Sequence, residues 1–322
     1  MALDTTIHKG STDKPVVIFV HGLGTDKSIW ISPLETKIFA KNIPLKYFTA
    51  TRPKATSKLQ KGIITTGEIP DTVDSLWPIL KSKGYNLVSW TQSRPVGPIN
   101  AAVNDLKKVM LRIKRDFPDK PIALIGHSRG GLIARKYMEL KSPQIKALIT
   151  IATPHDGSSL SNIGKYLPFL SGVISNILPR ETHGTISSIL KRIIDLVDGN
   201  ALKELMPGAD FFKHLNDTRS KKIHYLSFGG LQTEILNIYR WEKRGTSFYP
   251  NQLLTIPDSM LKFVPDLAVP DEITSGKGDI MVTADSSLLP WASEHYNVKA
   301  NHFTILWDRK VIKKTLEILQ KI

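Results

Sequence analysis

A short apolar run that leads straight into a helical segment constrains this chain more than any other feature. Residues 122–138 read I-A-L-I-G-H-S-R-G-G-L-I-A-R-K-Y-M. The continuous apolar residues 122–125 are typical of a central parallel strand, and the residues after Gly130 have the spacing of a helix with a mixed face. The sequence therefore predicts a strand, a sharp turn at Ser128 and a helix.

The glycines around Ser128 fit this turn. Gly126, His127, Ser128, Arg129 and Gly130 form a Gly-x-Ser-x-Gly pentapeptide. A serine at the tip of a strand-to-helix turn has a strained backbone, and its neighbours two residues away approach other backbone too closely to carry a side chain. Ser128 is thus a candidate nucleophile, whereas His127 points elsewhere in such a turn and is expected to be structural.

The composition is that of an ordinary globular protein. Of 322 residues, 41% are hydrophobic and 23% are charged, values that argue against a disordered or membrane-embedded chain. No apolar run approaches the ~20 residues that span a bilayer. The absence of cysteine excludes disulfides, zinc–thiolate sites and cysteine nucleophiles. We expect one large α/β domain over residues 1–322.

The charge is strongly basic, with 44 Lys and Arg against 29 Asp and Glu and a net charge of +15. Such a charge favours contact with anionic membranes, nucleic acid or acidic substrates. Because the basic residues are scattered and no aromatic ladder accompanies them, nucleic acid is not an expected partner, whereas transient contact with an anionic lipid surface stays open. The polar first 14 residues lack the apolar core of a signal peptide. We expect a cytoplasmic protein, or a secreted one whose leader has been removed.

Strands alternate with helices along the chain. The apolar patterns predict strands at 16–20, 85–90, 122–125, 145–152, 223–228 and 295–300, and helices at 72–83, 98–117 and 311–322. This alternation is typical of a doubly wound, mostly parallel sheet, in which ligands gather at the carboxyl ends of the strands.

Three connections are longer than a compact α/β unit needs. They are residues 31–71, 158–222 and 231–276, and each is expected to form a cap or lid segment with short helices of its own. Residues 167–178, within the second, read L-P-F-L-S-G-V-I-S-N-I-L. Two interpretations stay open for them: a lid helix with an acyl-binding face, or an ordinary core helix.

A serine nucleophile needs an imidazole to take its proton and a carboxylate to orient that imidazole. The chain order expected for this fold is serine, acid, histidine. His302 follows the last predicted strand and precedes the closing helix, so it is the candidate base. His295 begins that strand and should therefore lie at the opposite edge of the sheet.

The candidate acid is Asp279, in the segment G-D-I-M-V before the last strand. Asp285 is the alternative. Asp271 and Glu272 lie inside an inserted segment and are predicted to be surface charges.

Two backbone N–H groups are needed to stabilise the negative oxygen of a tetrahedral intermediate. One is expected from Arg129, the residue after the nucleophile. The other is expected from Leu23 in the loop His21-Gly22-Leu23-Gly24, which follows the first predicted strand. His21 and His155 are expected to orient loops.

Five motifs now stand in one order: His-Gly-Leu-Gly with Trp30, Gly-His-Ser-Arg-Gly-Gly, Thr-Pro-His-Asp-Gly-Ser, Gly-Asp-x-x-Val and Asn-His. Together they resemble lipases and esterases of the α/β-hydrolase superfamily, of the bacterial triacylglycerol lipase kind. The resemblance implies a triad of Ser128, Asp279 and His302, oxyanion donors at Leu23 and Arg129, and a cap after Gly157. No cofactor is expected. It departs at Ile280, where many such lipases have glycine, and in the three insertions. Some of these lipases hold a structural calcium, but no dense acidic cluster here supports a metal site.

These features predict a serine carboxylic-ester hydrolase that acts on acyl esters or lipids. The same triad would also serve an acyltransferase, a thioesterase or a polyester hydrolase. A membrane-surface binding protein with this fold is the alternative from a different class.

Overall fold

The computed structural model describes residues 3–11, 13–38, 43–159, 200–256, 258 and 269–322. Its strands are β1 (Thr5–His8), β2 (Val16–Val20), β3 (Lys37–Ile38), β4 (Ile43–Pro44), β5 (Ile64–Thr66), β6 (Asn86–Trp90), β7 (Ile122–His127), β8 (Ile145–Ile151), β9 (His224–Gly230), β10 (Leu236–Arg244), β11 (Ser247–Ile256) and β12 (Glu294–Val298). Its α-helices are α1 (Ser28–Ile31), α2 (Leu76–Ser82), α3 (Ile99–Asp116), α4 (Arg129–Met138), α5 (Asn200–Lys203), α6 (Asp210–Lys213) and α7 (Arg309–Leu319). Short 3₁₀ helices lie at Pro33–Glu35, Leu45–Thr49, Asp271–Ile273 and Thr304–Trp307.

A seven-stranded sheet forms the centre of the molecule, in the order β1-β6-β2-β7-β8-β9-β12. β1 pairs with β6 antiparallel, and every other pair in this sheet is parallel. The predicted doubly wound, mostly parallel sheet is therefore confirmed. The carboxyl ends of β2, β7 and β8 meet at one edge, which is where the site lies.

Alternate side chains of each central strand enter two separate apolar cores. In β2, Val16, Ile18 and Val20 pack with residues of α3 and α4, while Val17 and Phe19 pack with residues of α2 and α7. Because successive strand side chains point to opposite faces, a strand covered on both sides reads as a continuous apolar run. This explains why the sequence pattern located these strands so closely.

β1 was not predicted, because its sequence T-T-I-H is polar and it forms an edge. Its four residues are all only half-buried, and the strand is held by its antiparallel pairing with β6. An edge strand of this kind has no apolar run to reveal it.

Much of the third insertion forms strands, and the expectation of short helices there is wrong. β10 and β11 form a hairpin, and β5 from the first insertion pairs with β10 to complete a three-stranded sheet, called here the hairpin lobe (β5, β10 and β11). In β10, Tyr239 and Trp241 are buried whereas Arg240 is exposed. This alternation has the period of a strand rather than a helix.

The proposed lid segment, 167–178, lies outside the described residues. The described end of the second insertion contains the two short helices α5 and α6. Among the described residues there is no helix with the length and apolar character needed to cross a membrane.

Candidate active site

Ser128 occupies the turn between β7 and α4 with a φ of 54° and a ψ of −132°. Its backbone N–H donates to the Ile151 carbonyl over 2.9 Å, which fixes the turn against β8. A Cβ added at Gly126 would lie 2.5 Å from the Gly131 Cα, and one added at Gly130 would lie 2.2 Å from the Val20 carbonyl oxygen. Both glycines are therefore required by backbone contact, as expected for a turn of this kind.

Ser128 and His302 line the same narrow cleft at the carboxyl edge of the sheet. Its other described walls are mostly apolar: Gly22, Leu23, Thr25, Ile38, His127, Met281 and Phe303. Ser128 is only 7% exposed. The cleft thus brings the predicted nucleophile, the predicted base and the predicted oxyanion loop together.

His302 and Asp279 form a buried pair beside this cleft. The His302 Nδ1 lies 2.9 Å from the Asp279 Oδ2, and both residues are almost fully buried. The other carboxylate oxygen, Oδ1, accepts the backbone N–H groups of Met281 at 3.0 Å and Val282 at 2.8 Å. Since a carboxylate can only accept, this network assigns the proton to Nδ1 and leaves the Nε2 lone pair of His302 free.

The competing acids lie elsewhere. Asp285 is exposed, and Asp271 is exposed and paired with Lys277 over 2.9 Å. The prediction that Glu272 is a surface charge is wrong, because only 4% of this residue is exposed. Its carboxylate accepts the backbone N–H and hydroxyl of Ser159, at 2.6 and 2.7 Å, and its carbonyl accepts the Ile280 N–H. Glu272 therefore ties the start of the second insertion to the loop of Asp279.

His295 is remote from this pair. It lies near the amino end of β12, where its Nδ1 is 2.8 Å from the Ser227 hydroxyl and its Nε2 is 3.0 Å from the Asn297 side chain. This position matches the expectation that His295 faces the opposite edge of the sheet.

The two predicted oxyanion donors flank Ser128. A Cβ added at Gly22 would lie 2.9 Å from the Ser128 Cβ, so the loop that carries Leu23 lies directly against the serine. Arg129 is the first residue of α4. Within the described part of the chain, no acceptor is bonded to the backbone N–H of Leu23 or Arg129. Both donors are therefore available to a ligand.

His127 supports the backbone of His302. Its Nε2 donates to the His302 carbonyl over 2.8 Å, and the two rings lie 4.8 Å apart. Burial holds the pKa of His127 well below its usual value, with the nearby His302 acting in the same direction. A neutral ring with its proton on Nε2 is suited to positioning rather than to proton transfer.

His21 holds the oxyanion loop. Its Nε2 accepts the backbone N–H of Gln92 at 3.0 Å, so its Nδ1 carries the proton and donates to the Gly22 carbonyl at 2.9 Å. Burial lowers the pKa of His21 to about 4. The ring is therefore neutral and fixed in one tautomer.

Sequence reasoning missed the buried polar network behind this loop. The Arg129 guanidinium donates to the carbonyls of Gly97 and Pro95 and, over 2.6 Å, to the Gln92 side chain. Burial lowers the pKa of Arg129 to about 10. No local pattern in the sequence marks Gln92, because its partners lie far away along the chain.

His155 lies in a second buried network. Its Nδ1 accepts from Arg135 at 3.1 Å, its Nε2 lies 3.0 Å from the Thr150 hydroxyl, and burial holds its pKa well below the usual value. Arg135 in turn forms a bidentate pair with Asp217. Across the described ranges, no three His, Asp or Glu side chains gather in a way that could hold a metal ion.

Comparison with known proteins agrees with the fold. Residues 90–209 match the family model described as serine aminopeptidase, S33. The crystal structure of the Bacillus licheniformis lipase BlEst2 in its mature form is similar, with a TM-score of 0.57 and 16% identity over 98% of this chain and 97% of that one. Its propeptide form gives a TM-score of 0.56 at 16% identity over 98% of this chain, which spans 53% of that longer chain. No curated protein sequence matches this chain.

The parallel sheet, the turn at Ser128 and these similarities define the α/β-hydrolase fold. The fold class predicted from the order of the motifs is confirmed.

Proposed function

We propose that this protein is a serine carboxylic-ester hydrolase that forms an acyl-enzyme on Ser128. The observation that carries the proposal is the buried His302–Asp279 pair, which opens on the cleft that Ser128 lines. His302 Nε2 takes the Ser128 proton as the hydroxyl attacks the ester carbonyl. The imidazolium then gives the proton to the leaving alcohol, and a water molecule activated by the same imidazole releases the acid.

The free N–H groups of Leu23 and Arg129 would stabilise the tetrahedral oxyanion. Such donors act strongly because they are already oriented in a water-poor site, and losing one costs roughly 10²- to 10³-fold in kcat. The N–H of Arg129 also lies at the start of α4, where the helix dipole favours negative charge.

The lining of the cleft favours an uncharged acyl group over an amino-terminal residue. Leu23, Ile38, Met281 and Phe303 offer apolar contact, and none of the described lining residues is acidic. An aminopeptidase needs a negative group to bind the substrate ammonium, since a buried unpaired charge is costly. The proposal is therefore an acyl ester or lipid substrate.

We also propose that the hairpin lobe contacts anionic lipid surfaces. Arg240, Lys243 and Arg244 are exposed on β10. Ile64, Tyr249 and Leu253, from the same lobe, are 40–41% exposed. Basic and apolar side chains exposed on the same lobe are the combination that an anionic membrane interface attracts.

The ester proposal is tested by hydrolysis of p-nitrophenyl esters from acetate to palmitate, with amino-acyl p-nitroanilides as the contrasting substrates. Ser128→Ala should abolish ester turnover, and Asp279→Asn should lower kcat by about 10⁴-fold while the protein stays folded, because the imidazole then adopts the wrong tautomer. The matched control is Ser287→Ala, which removes another buried hydroxyl and should leave turnover intact. Hydrolysis of the anilides without the esters would contradict the proposal.

A further inference from the structure

The side-chain amide of Gln92 joins the two segments that carry the oxyanion donors. Its Nε2 donates to the His21 carbonyl over 2.7 Å, and its Oε1 accepts from the Arg129 guanidinium over 2.6 Å. The residue is 1% exposed. Gln92 lies two residues after the end of β6, outside both the motif at Ser128 and the oxyanion loop.

The segment after β6 that contains Gln92 also holds the other end of the oxyanion loop, at Gly24. The Pro95 carbonyl accepts the backbone N–H of Gly24 at 3.0 Å and the Arg129 guanidinium at 2.9 Å. The loop is therefore attached at His21 and at Gly24 to residues 92–95. The Arg129 guanidinium holds this segment by donating to Gln92 and Pro95. Leu23 lies between these two attachments.

We propose that Gln92 is a positioning residue that sets the place of the Leu23 N–H relative to the Arg129 N–H. This inference rests on the proposed function of the site. The position requires an amide, because one group must donate to a carbonyl and accept from a guanidinium at the same time. Glutamate at this position has no N–H for His21, and leucine satisfies neither partner.

A purely structural role would affect stability without a selective effect on the transition state. A shift of the oxyanion donors by a fraction of an ångström weakens contacts made to the developing negative charge more than contacts made to the neutral ester. The expected signature is therefore a fall in kcat with little change in KM.

The chain offers a closely matched control in Asn86, the first residue of β6. Its side-chain amide is also buried, and it also joins loops by accepting from the Gly10 N–H and donating to the carbonyls of Ser11 and Lys14. These contacts lie at the opposite end of the same strand. Asn86→Leu therefore removes an equivalent amide without touching the site.

The experiment compares the intact protein with Gln92→Leu, Gln92→Glu and Asn86→Leu. One readout is the steady-state hydrolysis of p-nitrophenyl esters. The second is the rate at which a fluorophosphonate labels Ser128, a reaction that places a phosphoryl oxygen where the oxyanion would lie. We expect Gln92→Leu to lower kcat and the labelling rate by about 10- to 100-fold, with KM changed less than about threefold.

Gln92→Glu should also lower kcat with little change in KM. This variant serves as the test if Gln92→Leu fails to fold. Asn86→Leu should lower thermal stability but keep both rates. The inference is overturned if the folded Gln92 variants label and hydrolyse as fast as Asn86→Leu. A wild type that labels but hydrolyses no ester would contradict the proposed function alone, and the labelling rates would still decide the role of Gln92.

Discussion

Ile280 adopts a φ of 94°, a backbone conformation that suits glycine and that a β-branched residue rarely takes. It follows Asp279 directly, at the position where the resembling lipases often have glycine. Its N–H donates to the Glu272 carbonyl over 2.8 Å, so the loop is held in this conformation from outside. Strain of this kind costs about 1–3 kcal/mol and persists only where the surroundings impose it.

This strain predicts that Ile280→Gly lowers the free energy of unfolding unusually little. Ile223 is the matched control, because it is also half-buried against the same core and has no positive φ. Both substitutions remove the same side chain, but only the first relieves strain. We expect the loss of unfolding free energy to be about 1–3 kcal/mol smaller for Ile280→Gly than for Ile223→Gly. Urea unfolding measures both, and equal losses would show that the backbone at Ile280 is not strained.

At the scale of the elements, the hairpin lobe carries the next prediction. A triple variant should weaken binding to anionic vesicles at least tenfold, because each basic residue near such a surface contributes about 1 kcal/mol to binding. It combines Arg240→Glu, Lys243→Glu and Arg244→Glu. Sedimentation with vesicles of phosphatidylcholine and phosphatidylglycerol measures this, using Ser128→Ala protein to prevent turnover. Binding should also weaken as salt rises.

The control for this experiment changes the same amount of charge elsewhere. Lys107, Lys108 and Lys114 are exposed on α3, and their replacement by glutamate should leave vesicle binding largely intact. Equal losses for the two triple variants would mean that net charge, rather than the hairpin lobe, governs the contact.

The elements also differ in how far the sequence could predict them. β2 and β7 were located closely because a strand buried on both faces must be apolar throughout. β1 and the hairpin were missed because an edge or a half-exposed strand requires only pairing and alternation. The proposed triad of Ser128, Asp279 and His302 follows from chemistry that fixes residue type and chain order. Gln92 does not, because its role depends on contacts that only the folded chain creates.

At the scale of the whole molecule, three buried histidines are expected to lower the free energy of unfolding in mild acid. Burial lowers the pKa of His21 to about 4 and holds those of His127 and His155 well below the usual value. In the unfolded chain each ring takes up a proton near pH 6.5. The unfolded state then binds more protons than the folded state, so the free energy of unfolding falls as pH decreases below 6.5.

We expect a steep loss of stability between pH 6.5 and pH 5. Each histidine that stays neutral in the folded state contributes about 1.4 kcal/mol per pH unit in this range. The contribution of His21 stops growing near pH 4, where it is protonated in both states. Urea unfolding from pH 8 to pH 5 measures the slope, and a flat profile above pH 5 would contradict the burial of neutral rings.

The pairing of β5 with β10 joins the first and third insertions. In sequence, the strands β6 to β9 of the central sheet lie between these two insertions. Removing either insertion alone would leave a strand of the other with unpaired backbone groups at a new edge, and such edges promote aggregation. A shortened version of this protein would therefore have to lose both insertions together. By the same reasoning, the two segments are expected to be gained or lost as one unit when this scaffold changes in evolution.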